Sequence, residues 1–200
     1  MRDSYVADVG DFGKYALLNA LAGNHLRLGV LWCRSTLEEI SSDGRFTKYN
    51  ELRLCDPALH GKLLQILKGN ERTLVEVEKG SILPRTTLFY GDPIPAPHAP
   101  CLSPAARDAQ ARLRETWFEQ AFNTLSDAEL VFLDPDNGLA GSRVKRHCRN
   151  SVKFVFANEV TEWLGRGKSV VLYRHQQRKT LSERVASSAR CSEQVQRVSQ

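Results

Sequence analysis

Short apolar runs of strand length, each ending abruptly in polar residues, constrain the fold of this chain more than anything else in it. "LGVLWC" (Leu28 to Cys33), "ELVFLD" (Glu129 to Asp134) and "KSVVLYRH" (Lys168 to His175) are of this kind, and "TTLFY" (Thr86 to Tyr90) joins them by its β-branched and aromatic content. Helical segments stand between them. Asp11 can cap a helix through "FGKYALLNALA", where Leu17, Leu18 and Leu21 recur at helical spacing before Gly23. Asp56 followed by Pro57 starts a second helix, with Leu59, Leu63, Ile66 and Leu67 on one face. After a loop rich in proline, Ser103 and Pro104 open a long helix reaching about Leu125, on which Leu113, Trp117 and Ala121 share a face. Asn158 can cap a short helix carrying Val160 and Trp163, whereas "TLVEVEKGSILP" fits strand or helix equally.

Strands alternating with helices predict an α/β protein, a three-layer Rossmann-like fold with a largely parallel central sheet. A chain of 200 residues with 42% hydrophobic content supports one good core. Residues 1–178 are expected to form a single domain, with 179–200 a polar tail, helical or partly disordered. The five cysteines are widely spaced with no C-x-x-C pair, which argues against a zinc knuckle or a disulfide framework. With no apolar stretch of membrane length and no signal-peptide pattern, the expectation is a cytoplasmic protein without a membrane partner. Its net charge of +5 permits a nucleic-acid or nucleotide partner without requiring one.

In a parallel sheet, ligands gather beyond the carboxyl ends of the strands. Two such ends carry candidate chemistry: Asp134, Asp136 and Asn137 in "LDPDNG", and Arg174 and His175 after "VVLY", with Arg178 close behind. Asp134 and Asp136 can hold Mg²⁺ or Mn²⁺ for phosphodiester chemistry, with His175 as acid or base and Arg174 or Arg178 on phosphate. Equally, Asp134 and Asn137 can make turn hydrogen bonds while Gly138 supplies a positive φ. His175 at a strand tip can shuttle a proton or decorate the surface. At the N-terminus, "YVADVGDFGKYALL" groups Asp8, Asp11 and Lys14 around two glycines at a helix entrance. The exposed amides there suit an anion, although the P-loop spacing is absent. Tyr5, together with Trp32, Tyr90, Trp117 and Trp163, offers a ring for stacking or for the core.

With these residues in view, the layout resembles Rossmann-like S-adenosylmethionine-dependent methyltransferases, and loosely the adenine-N6 methyltransferases of large-subunit ribosomal RNA. "VADVGDFGKYALLNAL" is similar to that family's N-terminal A-G-N-x-A-D-V-x-K-H element, with Lys14 and Tyr15 at the K-H positions. "LGVLWC" stands in place of the cofactor strand and "FLDPDNG" in place of the catalytic D-P-P-Y, where Asp134 and Pro135 match and Asp136 and Asn137 depart. The resemblance implies that S-adenosylmethionine lies near Lys14, Tyr15, Cys33, Ser35 and Thr36. It implies that Asp134 orients a target amine, with Tyr5, Asp11, Arg174 and Arg178 toward the substrate. Where the family has a glycine-rich loop after the first strand, this chain reads "RSTLEEISSDG". A metal-dependent phosphodiesterase and a non-catalytic nucleotide- or nucleic-acid-binding module are the alternative readings.

Overall fold

A computed structural model describes residues 1–23, 26–35, 37, 44–69, 71–97, 103–174 and 195. Helix α1 (Val9–Ala22) leads into β1 (Leu28–Leu31), then come α2 (Pro57–Lys68), α3 (Leu74–Lys79) and β2 (Leu88–Tyr90). The long α4 (Pro104–Thr124) precedes β3 (Leu130–Leu133), and α5 (Ala157–Gly165) precedes β4 (Ser169–Leu172). The described strands form one parallel sheet in the order β2-β1-β3-β4.

Because successive side chains on a strand point to opposite faces, the sheet divides its core in two. Leu28, Val30, Leu130 and Phe132 pack under α1, α2 and α3, whose Leu18, Leu63 and Val77 meet them. Leu31, Val131 and Leu133 pack on the other face against Trp117 and Ala121 of α4 and Val160 and Trp163 of α5. The result is the three-layer, Rossmann-like α/β fold.

Local signals explain most element boundaries. Asp56 caps α2 by accepting from the Leu59 amide at 2.9 Å. Thr73 caps α3, which settles the ambiguous "TLVEVEKGSILP" as helix at its start. Two caps and one helix face differ from the sequence expectation. Asp8, not Asp11, caps α1, its carboxylate accepting from the Asp11 amide at 3.0 Å; Asp11 turns inward. On α4, Leu113 is exposed, and Arg114 takes the buried face with Trp117 and Ala121. Asn158 lies in the first turn of α5, and it is Glu159 that closes the helix start by accepting from the Phe156 amide at 2.9 Å.

The order β2-β1-β3-β4 puts a topological switch point between β1 and β3, where successive connections leave the central pair in opposite directions. In open α/β sheets the crevice beyond the strand ends at that point is where ligands lie.

Candidate functional site

Ladder hydrogen bonds carry the strands a residue further at this rim, fixing where each functional side chain emerges. The Trp32 amide donates to Tyr90 at 3.0 Å, Asp134 to Leu31 at 3.1 Å, and Tyr173 to Leu133 at 2.9 Å. Trp32, Asp134 and Tyr173 are thereby held beyond β1, β3 and β4. Past Asp134, the Asn137 amide donates to Lys153 at 2.8 Å, and Leu139 bridges Val155, so the corner is tied to the chain entering α5. Gly138 adopts φ +83°, and a side chain there would press on Arg174, which places the β4 exit beside the acidic corner.

The center of the site is a buried ionic cluster. Lys14, on the inner face of α1, places Nζ 2.6 Å from Asp11 Oδ1 and 3.0 Å from Asp134 Oδ2, with the Tyr173 ring 4.6 Å away. The Ala7 amide and the Tyr15 hydroxyl both donate to Asp11 Oδ2. Ala7 has φ +60°, unusual for a residue with a Cβ, and this turns its amide toward Asp11. Asp11 and Asp134 are 0% and 1% exposed, and the one Lys14 ammonium balances the two carboxylates only in part.

That imbalance appears in the titration of the cluster. Burial pushes the Asp11 carboxyl up from 3.8 to about 6, with Lys14 opposing and Asp134 reinforcing the rise. Lys14 is held well above the usual lysine range: its two carboxylates outweigh the burial that opposes them. Tyr15 rises through burial and then Asp11, and burial pushes the Cys33 thiol up to about 12. Since Asp11 has the higher pKa when folded, the native state holds more protons than the unfolded state between about pH 4 and 6. Its contribution to stability is therefore present at low pH and lost as pH rises through about 6. Urea unfolding midpoints measured from pH 4 to 7 are expected to show this fall in the wild type, and a shallower one in Asp11→Asn.

The second half of the site is the N-terminal segment. The Met1 ammonium donates to the carbonyls of Cys33 at 2.8 Å and Asp134 at 3.2 Å, and lies 3.0 Å from Asp136 Oδ1. This ammonium fills the crevice between the ends of β1 and β3. Arg2 Nε stands 3.5 Å from Asp136 Oδ2, and the Arg2 guanidinium donates to the Tyr5 hydroxyl at 2.6 Å.

The structure thus brings together Lys14, Tyr15, Asp11, Asp134, Asp136, Cys33 and Tyr5, the last by way of Arg2. Of the "DPDN" run, Asn137 alone is exposed. Ser35 is half-buried, its hydroxyl accepting from the Leu37 amide at 3.2 Å. His175, Thr36 and Arg178 lie outside the described residues, as does the tail from Thr180 apart from Val195. Met1, Arg2 and Tyr173 were not singled out by the sequence; no local pattern marks them, because their partners are distant in the chain.

Among the described residues, the acidic corner does not fit a divalent ion. Asp134 is matched by Lys14 and Asp136 by Met1 and Arg2, and among the described residues no three His, Cys, Asp or Glu side chains converge. Among the described residues, no helix is long and apolar enough to cross a membrane. A cavity of about 430 Å³ lies between α4 and α5, lined by Phe118, Phe122, Glu159 and Arg166 among others. No family model, curated protein or solved structure matches the chain.

Proposed function

We propose that this chain is a methyltransferase-like enzyme that uses S-adenosylmethionine on an amine of a nucleic acid or small molecule. One observation carries the reading: at the switch point, the Cys33 and Asp134 carbonyls and the Asp136 carboxylate surround an ammonium group. The Met1 ammonium stands in there for the aminoacyl ammonium of the cofactor. The cofactor supplies an electrophilic methyl on a sulfonium.

The chain's own residues supply position. Asp92, exposed just past β2, is the acidic residue available to the ribose hydroxyls. Lys14 holds the Asp134 carboxylate in one orientation, while the ladder bond of the Asp134 amide to Leu31 holds the backbone whose carbonyl faces the crevice. Because the Asp134 carboxylate is engaged by Lys14, the neighboring Asn137, exposed at the same turn, offers its side-chain carbonyl to an incoming amine. Accepting from that N–H aims the nitrogen lone pair at the methyl group.

S-adenosylhomocysteine is expected to raise the melting temperature, by a stabilization of about 2.7 kcal/mol at one hundred times its Kd. Mg²⁺ or Mn²⁺ alone is expected to leave it unchanged, and the reverse pattern would favor the phosphodiesterase reading. In a methyl-transfer assay, Asn137→Ala should lower kcat on the order of 10²-fold with the cofactor affinity retained. No shift with either ligand, together with salt-sensitive binding of single-stranded nucleic acid, would favor a non-catalytic module.

A further inference from the structure

The crevice that would receive the cofactor's ammonium is spanned by the chain's own first residues, and their contacts are unevenly made. Met1 is 3% exposed, with its ammonium between the ends of β1 and β3. Arg2 reaches Asp136. Asp3 accepts from the Leu74 amide at the start of α3, 2.9 Å away, and stands 3.7 Å from Arg34 beyond β1. Arg72 gathers the carbonyls of Ser4, Val6 and Gly44 at 2.6–3.1 Å. Residues 1–6 therefore cross the rim from β3 to α3.

The two ends of this segment are held differently. At one end Arg72 donates to three carbonyls, and Gly44 at φ +73° lies so close under Ser4 that a Cβ there would collide with its carbonyl. Over the crevice, both oxygens of the buried Asp136 carboxylate and Arg2 Nε lack any hydrogen bond of good geometry, although their charges are paired. A buried carboxylate left in that state retains acceptor capacity that a better-placed donor can use.

The geometry points to residues 1–3 as a displaceable strap: a ligand carrying a primary ammonium takes the place of Met1 on Cys33, Asp134 and Asp136, and the strap swings out about the anchored Ser4–Val6. This rests on the methyltransferase-like reading for the identity of the ligand and adds that binding must first vacate the site. While the strap is seated, the apparent affinity is lowered by the fraction of molecules in the open state.

The test compares S-adenosylhomocysteine with 5′-methylthioadenosine, which lacks the amino-acid end, by calorimetry and by amide hydrogen exchange over residues 2–6. S-adenosylhomocysteine is expected to speed exchange of the Tyr5 and Val6 amides, which donate to the Arg2 and Asp3 carbonyls at 3.1 Å, at least tenfold; methylthioadenosine should leave them unchanged. The variant Arg2→Ala/Asp3→Ala is expected to bind S-adenosylhomocysteine five- to tenfold more tightly, and Asp136→Asn to bind it at least tenfold more weakly. Binding to the wild type with exchange at Tyr5 and Val6 unaltered would overturn the strap and leave the methyltransferase reading standing. Binding to neither the wild type nor the strap variant would remove both. The exchange measurement on the wild type decides the matter even if a variant fails to fold.

Discussion

Lys14→Met is expected to cost about 3–5 kcal/mol of folding stability, since it leaves two buried carboxylates without their shared cation. Methionine nearly preserves the volume of the lysine stem, so loss of packing is minor and the change reads out charge. Asp11 and Asp134 stand 2.6 and 3.0 Å from Nζ, both essentially without solvent, and nothing mobile can replace the ammonium. Urea unfolding at pH 7 measures the loss. Lys14→Met/Asp134→Asn should recover part of it, because one of the stranded charges is gone, and a double-mutant cycle then isolates the coupling. Recovery should also grow as pH falls, because without Lys14 to hold it down the buried Asp11 carboxyl is pushed still higher and takes up its proton more readily.

The second large effect is expected at Arg114. Its guanidinium is 1% exposed and donates from Nε and Nη2 to Glu159 at 2.6 and 3.0 Å, from Nη1 to the Ser151 carbonyl at 3.1 Å, and from Nη2 to the Phe154 carbonyl at 2.7 Å. Arg114→Leu strands the Glu159 carboxylate and two carbonyls and should cost about 3–5 kcal/mol. Arg114→Lys should recover little, because an ammonium cannot reproduce the planar fork that meets Glu159 twice. The same urea titration checks both variants. The effect should also reach the rim, since the segment that Arg114 holds supplies the carbonyl that fixes Asn137.

These two residues also show what a sequence read alone can and cannot reveal. Apolar runs and proline-led caps place the strands β1 and β3 and the helix α2, because burial on both sheet faces and a single local hydrogen bond suffice to define them; the half-buried edge strand β4 is legible from its apolar run alone. Arg114 escapes that logic. Hydrophobic spacing points Leu113 inward, but the partners that make an arginine tolerable in the core lie 37–45 positions away. Asp8 and Asp11 are both competent caps, and the choice between them is made by Lys14 and Tyr15, which claim Asp11 from within. "LVEVEK" alternates as a strand would, and the caps at its start tip it to helix, Thr73 accepting from the Glu76 amide at 3.4 Å and the distant Asp3 from the Leu74 amide at 2.9 Å. The acidic corner was legible as a strand end with unusual chemistry. Its pairing with Met1 and Arg2 was not, for neither position carries a pattern of its own.

Lys14 and Asp134 are separated by 120 positions. During synthesis on the ribosome the first helix emerges with its inward ammonium and Asp11, long before the strand that supplies the second carboxylate exists. A nascent chain stopped short of residue 134 already carries Lys14 and Asp11 as a neutral pair, so the charge that must be accommodated late in folding is that of Asp134, brought in by the third strand.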